Sequence, residues 1–134
     1  MNEFLWPVRV YYEDTDAGGV VYYANYLKFM ERARTEWLRT LGFEQDELIA
    51  QQNVLFAVRR VTIDYRQPAR FNEKLVVSAR VAEAGKASLT FAQAIHRESD
   101  NVLLCDGEVK IASLDALTFK PRAIPGALQQ KLVV

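Results

Sequence analysis

Asn25-Tyr26-Leu27-Lys28-Phe29-Met30-Glu31-Arg32-Ala33-Arg34-Thr35-Glu36-Trp37-Leu38-Arg39-Thr40-Leu41-Gly42 is the stretch that decides the fold. Tyr26, Phe29, Met30, Ala33, Trp37, Leu38 and Leu41 recur with the period of one helical face, while Lys28, Glu31, Arg32, Arg34, Glu36 and Arg39 lie mostly opposite. The helix starts between Tyr22 and Tyr26, with Asn25 as a candidate cap. Gly42 follows the last periodic residue and suits a left-handed stop. A helix with one wide apolar face has to lay it on something, and the sequence on both sides reads as sheet.

Before the helix, Trp6 to Tyr12 alternates Val8, Val10 and Tyr12 with Arg9 and Tyr11, the period of a strand. Glu13 to Gly19 is a loop. After the helix, Phe43 to Gln52 is a polar, partly helical connection. Four strands then follow, over Val54 to Tyr65, Leu75 to Ala82, Ser88 to Arg97 and Val102 to Leu114. Turns at Pro68 and Asn72, at Glu83-Ala84-Gly85-Lys86 and at Ser99-Asp100-Asn101 separate them, and Pro121 and Pro125 mark the tail. Short turns fit antiparallel pairing, since parallel strands need crossovers. The expectation is an α+β chain, one domain over residues 1–134, in which one long central helix is wrapped by a five-stranded, mainly antiparallel sheet.

Half of the 134 residues are hydrophobic and 11% are aromatic, which is enough for one core. A single wrapped sheet of this size is often completed by a partner subunit. The formal net charge is zero and the pI about 6.6, so nothing steers the chain as a whole to nucleic acid or to an anionic membrane. Cys105 is the only cysteine, so no intrachain disulfide forms and the chain does not read as a disulfide-stabilised secreted domain. Met1-Asn2-Glu3-Phe4-Leu5-Trp6-Pro7 lacks the basic and apolar regions of a signal peptide, and no apolar run reaches the length of a membrane span. The reading is a soluble cytoplasmic protein.

The chemistry concentrates in Asp14-Thr15-Asp16-Ala17-Gly18-Gly19-Val20-Val21-Tyr22-Tyr23, between the first strand and the helix. Asp16 is a candidate nucleophile or general base, close in sequence to a helix start whose free N–H groups favour developing negative charge. On spacing alone, a turn aspartate bonding its own backbone competes with that reading. Asp14 reads as a loop aspartate accepting backbone hydrogen bonds, and Glu13 as solvent-facing. Gly18 and Gly19 match no phosphate-loop pattern; they let a backbone approach a ligand closely. Tyr22, Tyr23 and Tyr26 line a pocket or fill the core. His96, the only histidine, has no partner at ligand spacing, Cys105 reads as a small buried side chain, and Glu31 as a solvated helix residue. No metal site and no cofactor is expected.

The Asp14-to-Tyr26 loop, the helix Leu27-Lys28-Phe29-Met30-Glu31-Arg32-Ala33-Arg34, Pro68-Ala69-Arg70 and the closing Lys120-Pro121-Arg122-Ala123-Ile124-Pro125 resemble hotdog-fold acyl-CoA thioesterases of the 4-hydroxybenzoyl-CoA thioesterase type. Within these, the chain most resembles the small bacterial branch associated with the Tol-Pal system. The resemblance implies metal-free hydrolysis of an acyl-CoA thioester, with Asp16 as the catalytic aspartate and the backbone N–H near Tyr23 as oxyanion donor. It implies sites at the interface of a homodimer or homotetramer. Gly19, Val20 and Tyr26 are expected to contact substrate. Lys86, Lys120 and Arg122 are expected to meet the coenzyme A phosphates, with Arg66 and Arg70 as weaker candidates. Tyr23 stands seven residues after Asp16, where the Tol-Pal-associated branch usually carries histidine and the hydroxybenzoyl-CoA enzyme carries tyrosine. The alternative reading is a non-catalytic acyl-CoA-binding or scaffold protein on the same fold. Hydration or dehydration of an acyl thioester ranks last, because it generally needs a histidine that His96 is poorly placed to be.

Overall fold

A computed structural model of the chain describes residues 3–133. The elements run β1 (Phe4–Arg9), α1 (Asn25–Thr40), α2 (Gln45–Gln52), β2 (Val54–Tyr65), β3 (Lys74–Ala84), β4 (Ser88–Arg97), β5 (Leu103–Asp115) and α3 (Gly126–Gln129). One five-stranded sheet has the order β1-β3-β4-β5-β2, and all four pairings are antiparallel. Two long edges remain, β1 and β2. Pro7 is tolerated in β1 because an edge strand can lack one donor.

Helix α1 lies on one face of this sheet and buries Tyr26, Phe29, Met30, Ala33 and Leu38, five of the seven residues of the predicted stripe. Trp37 and Leu41 are partly buried at its margin, and Trp37 meets Phe91 of β4 edge-on at 5.0 Å. Opposite the helix, β3 contributes Leu75, Val77, Ala79 and Val81, whose alternation is the period of two expected of a half-buried strand. Fully burying a side chain such as Phe29 or Met30 stabilises the fold by about 1.5–3 kcal/mol. The buried set also includes polar residues, Ser78, Gln93 and Ser113. Gln93 is 3% exposed, yet its amide donates to the Met30 carbonyl at 3.1 Å and its oxygen accepts from Arg34 at 2.9 Å. A buried amide so paired avoids the desolvation penalty it would otherwise carry.

The end of β1 and the helix cap differ from the sequence expectation. β1 ends at Arg9, not Tyr12, because the Asp14 carboxylate accepts the Tyr11 N–H at 2.8 Å and turns Tyr12–Asp14 into a single 3-10 turn. Tyr12 is then 79% exposed instead of lying on the sheet. At the helix start Ala24 occupies the cap position and Asn25 the first helical one. The Asn25 side chain is drawn away to the Asp14 carbonyl at 2.9 Å, so it ties the loop to the helix instead of capping it. The C-terminal stop is as expected, with Gly42 at φ +93°.

Candidate active site

The loop between β1 and α1 is a chain of backbone hydrogen bonds. The Asp14 carbonyl accepts the Tyr22 N–H at 2.9 Å, Thr15 pairs with Val21, and the Asp16 N–H donates to Val20 at 3.0 Å. The Gly19 N–H closes the tip onto the Asp16 carbonyl at 3.0 Å, with Gly19 at φ +76°, a conformation that disfavours a side chain. At the very tip, the Gly18 N–H donates to Oδ1 of Asp16 at 2.9 Å. Asp16 therefore adopts the local backbone-bonded geometry of a turn aspartate. That geometry also fixes the direction of the carboxylate and leaves Oδ2 without a partner among the described residues.

The far side of the loop is clamped to the segment after β2. Val20 pairs with Arg70, the Val21 N–H donates to the Ala69 carbonyl at 2.9 Å, and the Tyr26 hydroxyl accepts the Ala69 N–H at 2.9 Å. Tyr26 is only 3% exposed, so its contribution is a buried anchor at the helix start. Burial pushes its hydroxyl pKa up, and the Ala69 hydrogen bond opposes that. Between the anchor and the loop tip the chain passes Tyr22 and Tyr23, both exposed, with ring centroids 4.9 Å apart. The Tyr23 hydroxyl pushes the Tyr22 pKa up, and burial and the Asp16 charge act in the same direction. The backbone N–H groups of Tyr23 and Ala24 have no acceptor among the described residues. These are the free donors expected where a helix begins.

Val21, Tyr23, Tyr26, Tyr65, Arg66 and Pro68 line an open groove of about 230 Å³ beside this turn. Asp16, Gly19 and Tyr23 are exposed and Val20 is half-buried, so the site lies open in a single chain. A separate cavity of about 120 Å³ lies toward the other end of α1, between Arg34, Trp37, Phe56 and Phe91.

The basic residues divide in two. The Lys86 carbonyl accepts the Ile124 N–H at 2.9 Å and the Arg122 N–H donates to Ser113 at 2.9 Å, which brings Lys86, Lys120 and Arg122 to one end of the sheet. Asp16 belongs to the other end, where Arg9 pairs with Lys74. The 11 residues of β3 separate the two ends by about 33 Å. The three tail and turn cations thus do not share a site with Asp16 of the same chain. Arg70 does lie beside the loop, paired through its backbone to Val20 and without an ion-pair partner among the described residues.

The family model of the thioesterase superfamily matches residues 18–104, which takes in the loop from Gly18 onward, α1, α2 and β2 to β4. The chain belongs to the thioesterase superfamily. It is 48% identical to the acyl-CoA thioester hydrolase YbgC of Escherichia coli O6:H1, over 93% of this chain and 92% of that one. It is 48% identical to the acyl-CoA thioesterase YbgC of Haemophilus influenzae, over 92% of this chain and 90% of that one. The solved structure of a 1,4-dihydroxy-2-naphthoyl-CoA thioesterase from Synechocystis superposes with a TM-score of 0.89 over 96% of this chain and 94% of that one. At 22% identity that likeness speaks for the hotdog fold alone. As a thioesterase the chain is a hydrolase.

Other residues singled out in the sequence sit in the sheet, Cys105 directly opposite Tyr65 in the β2–β5 pairing. Cys105 is buried and its thiol is pushed up to about 12, first by burial and then by the Asp106 charge. His96 pairs within the sheet, opposite Val76 and Leu103. Among the described residues no helix is long and apolar enough to cross a membrane. Of two residues beside the site, one was ranked low in the sequence and one was missed. Arg70 ranked below the tail cations, and Tyr65 showed no signal, because its contact with Tyr23 spans 42 residues.

Proposed function

We propose that the chain hydrolyses acyl-CoA thioesters to the free acid and coenzyme A, with Asp16 as nucleophile or general base. The observation that carries this reading is the Asp16 carboxylate, held by Gly18 at 2.9 Å in a loop that leads straight into unpaired N–H groups at Tyr23 and Ala24. As nucleophile, Oδ2 adds to the thioester carbonyl, the tetrahedral oxyanion collapses with loss of the coenzyme A thiolate, and water cleaves the resulting anhydride. As general base, it takes a proton from the water that attacks the same carbon. In both routes negative charge grows on the former carbonyl oxygen, and the free N–H groups at the helix start are the donors this reading assigns to it. The 48% identity to two proteins named for acyl-CoA thioester hydrolysis supports this substrate class.

The working site belongs, in this proposal, to a homodimer or larger assembly. Strand β2 is a 12-residue edge whose Val58, Val61 and Tyr65 are 51%, 38% and 44% exposed, an apolar margin that a monomer would leave wet. A second copy would also desolvate Asp16 and bring its own Lys86, Lys120 and Arg122 within reach of a coenzyme A phosphate that one chain cannot offer them. Gly19, Val20 and Arg70 remain on the loop side of the same substrate.

The test is release of free thiol from a panel of straight-chain and aromatic acyl-CoAs by purified protein, alongside light scattering. Turnover by an oligomer supports the reading. Saturable acyl-CoA binding with no turnover on any member of the panel would favour a binding protein instead.

A further inference from the structure

We propose that Tyr65 is a positioning residue for the hydrolytic site, its hydroxyl holding the Tyr23–Ala24 peptide so that the N–H groups at the helix start point at the thioester oxygen. The proposal rests on the function proposed above. The Tyr65 hydroxyl donates to the Tyr23 carbonyl oxygen at 3.1 Å. That carbonyl and the Ala24 N–H belong to one planar peptide, so fixing the oxygen fixes the direction of the N–H. It also constrains ψ of Tyr23, and with it the orientation of the peptide that carries the Tyr23 N–H. A hydrogen bond accepted at the oxygen polarises the amide and strengthens its N–H as a donor.

The surroundings fit this role better than simple packing. Tyr23 is 60% exposed, and its turn has no other side-chain hydrogen bond to the sheet at that carbonyl among the described residues. The Tyr65 ring stands edge-on to Tyr23 with centroids 6.0 Å apart, and 5.6 Å from Tyr26, which is buried and anchored through Ala69. Tyr65 thus links the exposed Tyr23 to the buried, anchored Tyr26. It does so from the last residue of β2, an element that carries no other part of the site. Burial, then Cys105 and Tyr23, push the Tyr65 pKa up, so the hydroxyl keeps the proton that the hydrogen bond uses. A residue acting only as a ring would do its work equally well as phenylalanine, and that difference is measurable.

Tyr65→Phe, Asp16→Asn and the unaltered protein are compared by steady-state thiol release from one acyl-CoA, by thermal denaturation and by light scattering. The proposal predicts that Tyr65→Phe lowers kcat about tenfold, leaves KM within about twofold, and keeps the melting temperature and assembly, because only a transition-state interaction is misaligned. An unchanged kcat overturns it, as does a fall in kcat that comes with an equal rise in KM and a lost melting temperature, the pattern of a structural role. If Asp16→Asn is inactive while Tyr65→Phe keeps its kcat, the positioning role alone is wrong. If Asp16→Asn is fully active, the catalytic reading falls and the role of Tyr65 falls with it.

Discussion

The Gly18 N–H holds Oδ1 of Asp16 at 2.9 Å, and a methyl group added at Gly18 would stand only 3.3 Å from that same oxygen. The donor and the carboxylate are thus fitted to one another at the tip of the loop. The backbone at Gly18 is not in the left-handed region, so alanine is compatible with the chain itself. Gly18→Ala is expected to displace the carboxylate by a few tenths of an ångström. In a site that works by alignment, that lowers kcat/KM by about tenfold. The melting temperature should hold. Steady-state kinetics beside thermal denaturation checks it, and an unchanged kcat/KM would show that the Asp16 orientation does not matter.

Gly107 in β5 makes a structural prediction. A Cβ there would lie 2.1 Å from the Thr62 carbonyl oxygen and 2.8 Å from Cα of Ile63, both backbone atoms of β2. Neither can swing aside as a side-chain tip would, so Gly107→Ala must prise β2 from β5. The expected loss is about 3 kcal/mol, at the upper end of overpacking costs. Chemical denaturation reads it directly, and a loss below about 1 kcal/mol would mean the strand pair has slack.

Asp115 governs a pH-dependent part of stability. Its carboxylate accepts N–H bonds from Thr118 and Leu117 and is bonded by Asn53, and these hold its pKa below the usual carboxylate value. With a folded pKa below the unfolded one, this contribution is fully present above the ordinary aspartate value of about 3.9 and is lost as pH falls through the folded pKa. Asp115→Ala should therefore be less stable than the unaltered protein at pH 7, with the gap closing in acid. Denaturation curves at several pH values test this, and a gap that stays constant into acid contradicts it.

The elements were legible where one period dominated. The stripe from Tyr26 to Leu38 and the β2 and β4 limits follow directly from spacing, because burial on one face enforces them. The end of β1 and the helix cap were misjudged because a side chain there competes for a backbone group. Asp14 captures the Tyr11 N–H and ends β1 early, and its carbonyl captures the Asn25 side chain from its capping role. The site was legible only in its local part. The Asp16–Gly18 contact lies within three residues, whereas Tyr65 reaches the loop through a side-chain hydrogen bond across 42 residues and Arg70 through a backbone bridge to Val20, which no local pattern encodes. Sequence carries no information on which end of the sheet the tail cations occupy relative to Asp16 of the same chain.

The central claim is that the Asp16 carboxylate performs the chemistry. Asp16→Asn keeps the shape of the side chain, and its amide oxygen can still accept the Gly18 N–H, so the loop should hold. The direct measurement is kcat/KM for thiol release by Asp16→Asn against the unaltered protein, with matched melting temperatures. The account predicts a fall of about a hundredfold or more. An unchanged kcat/KM would contradict it.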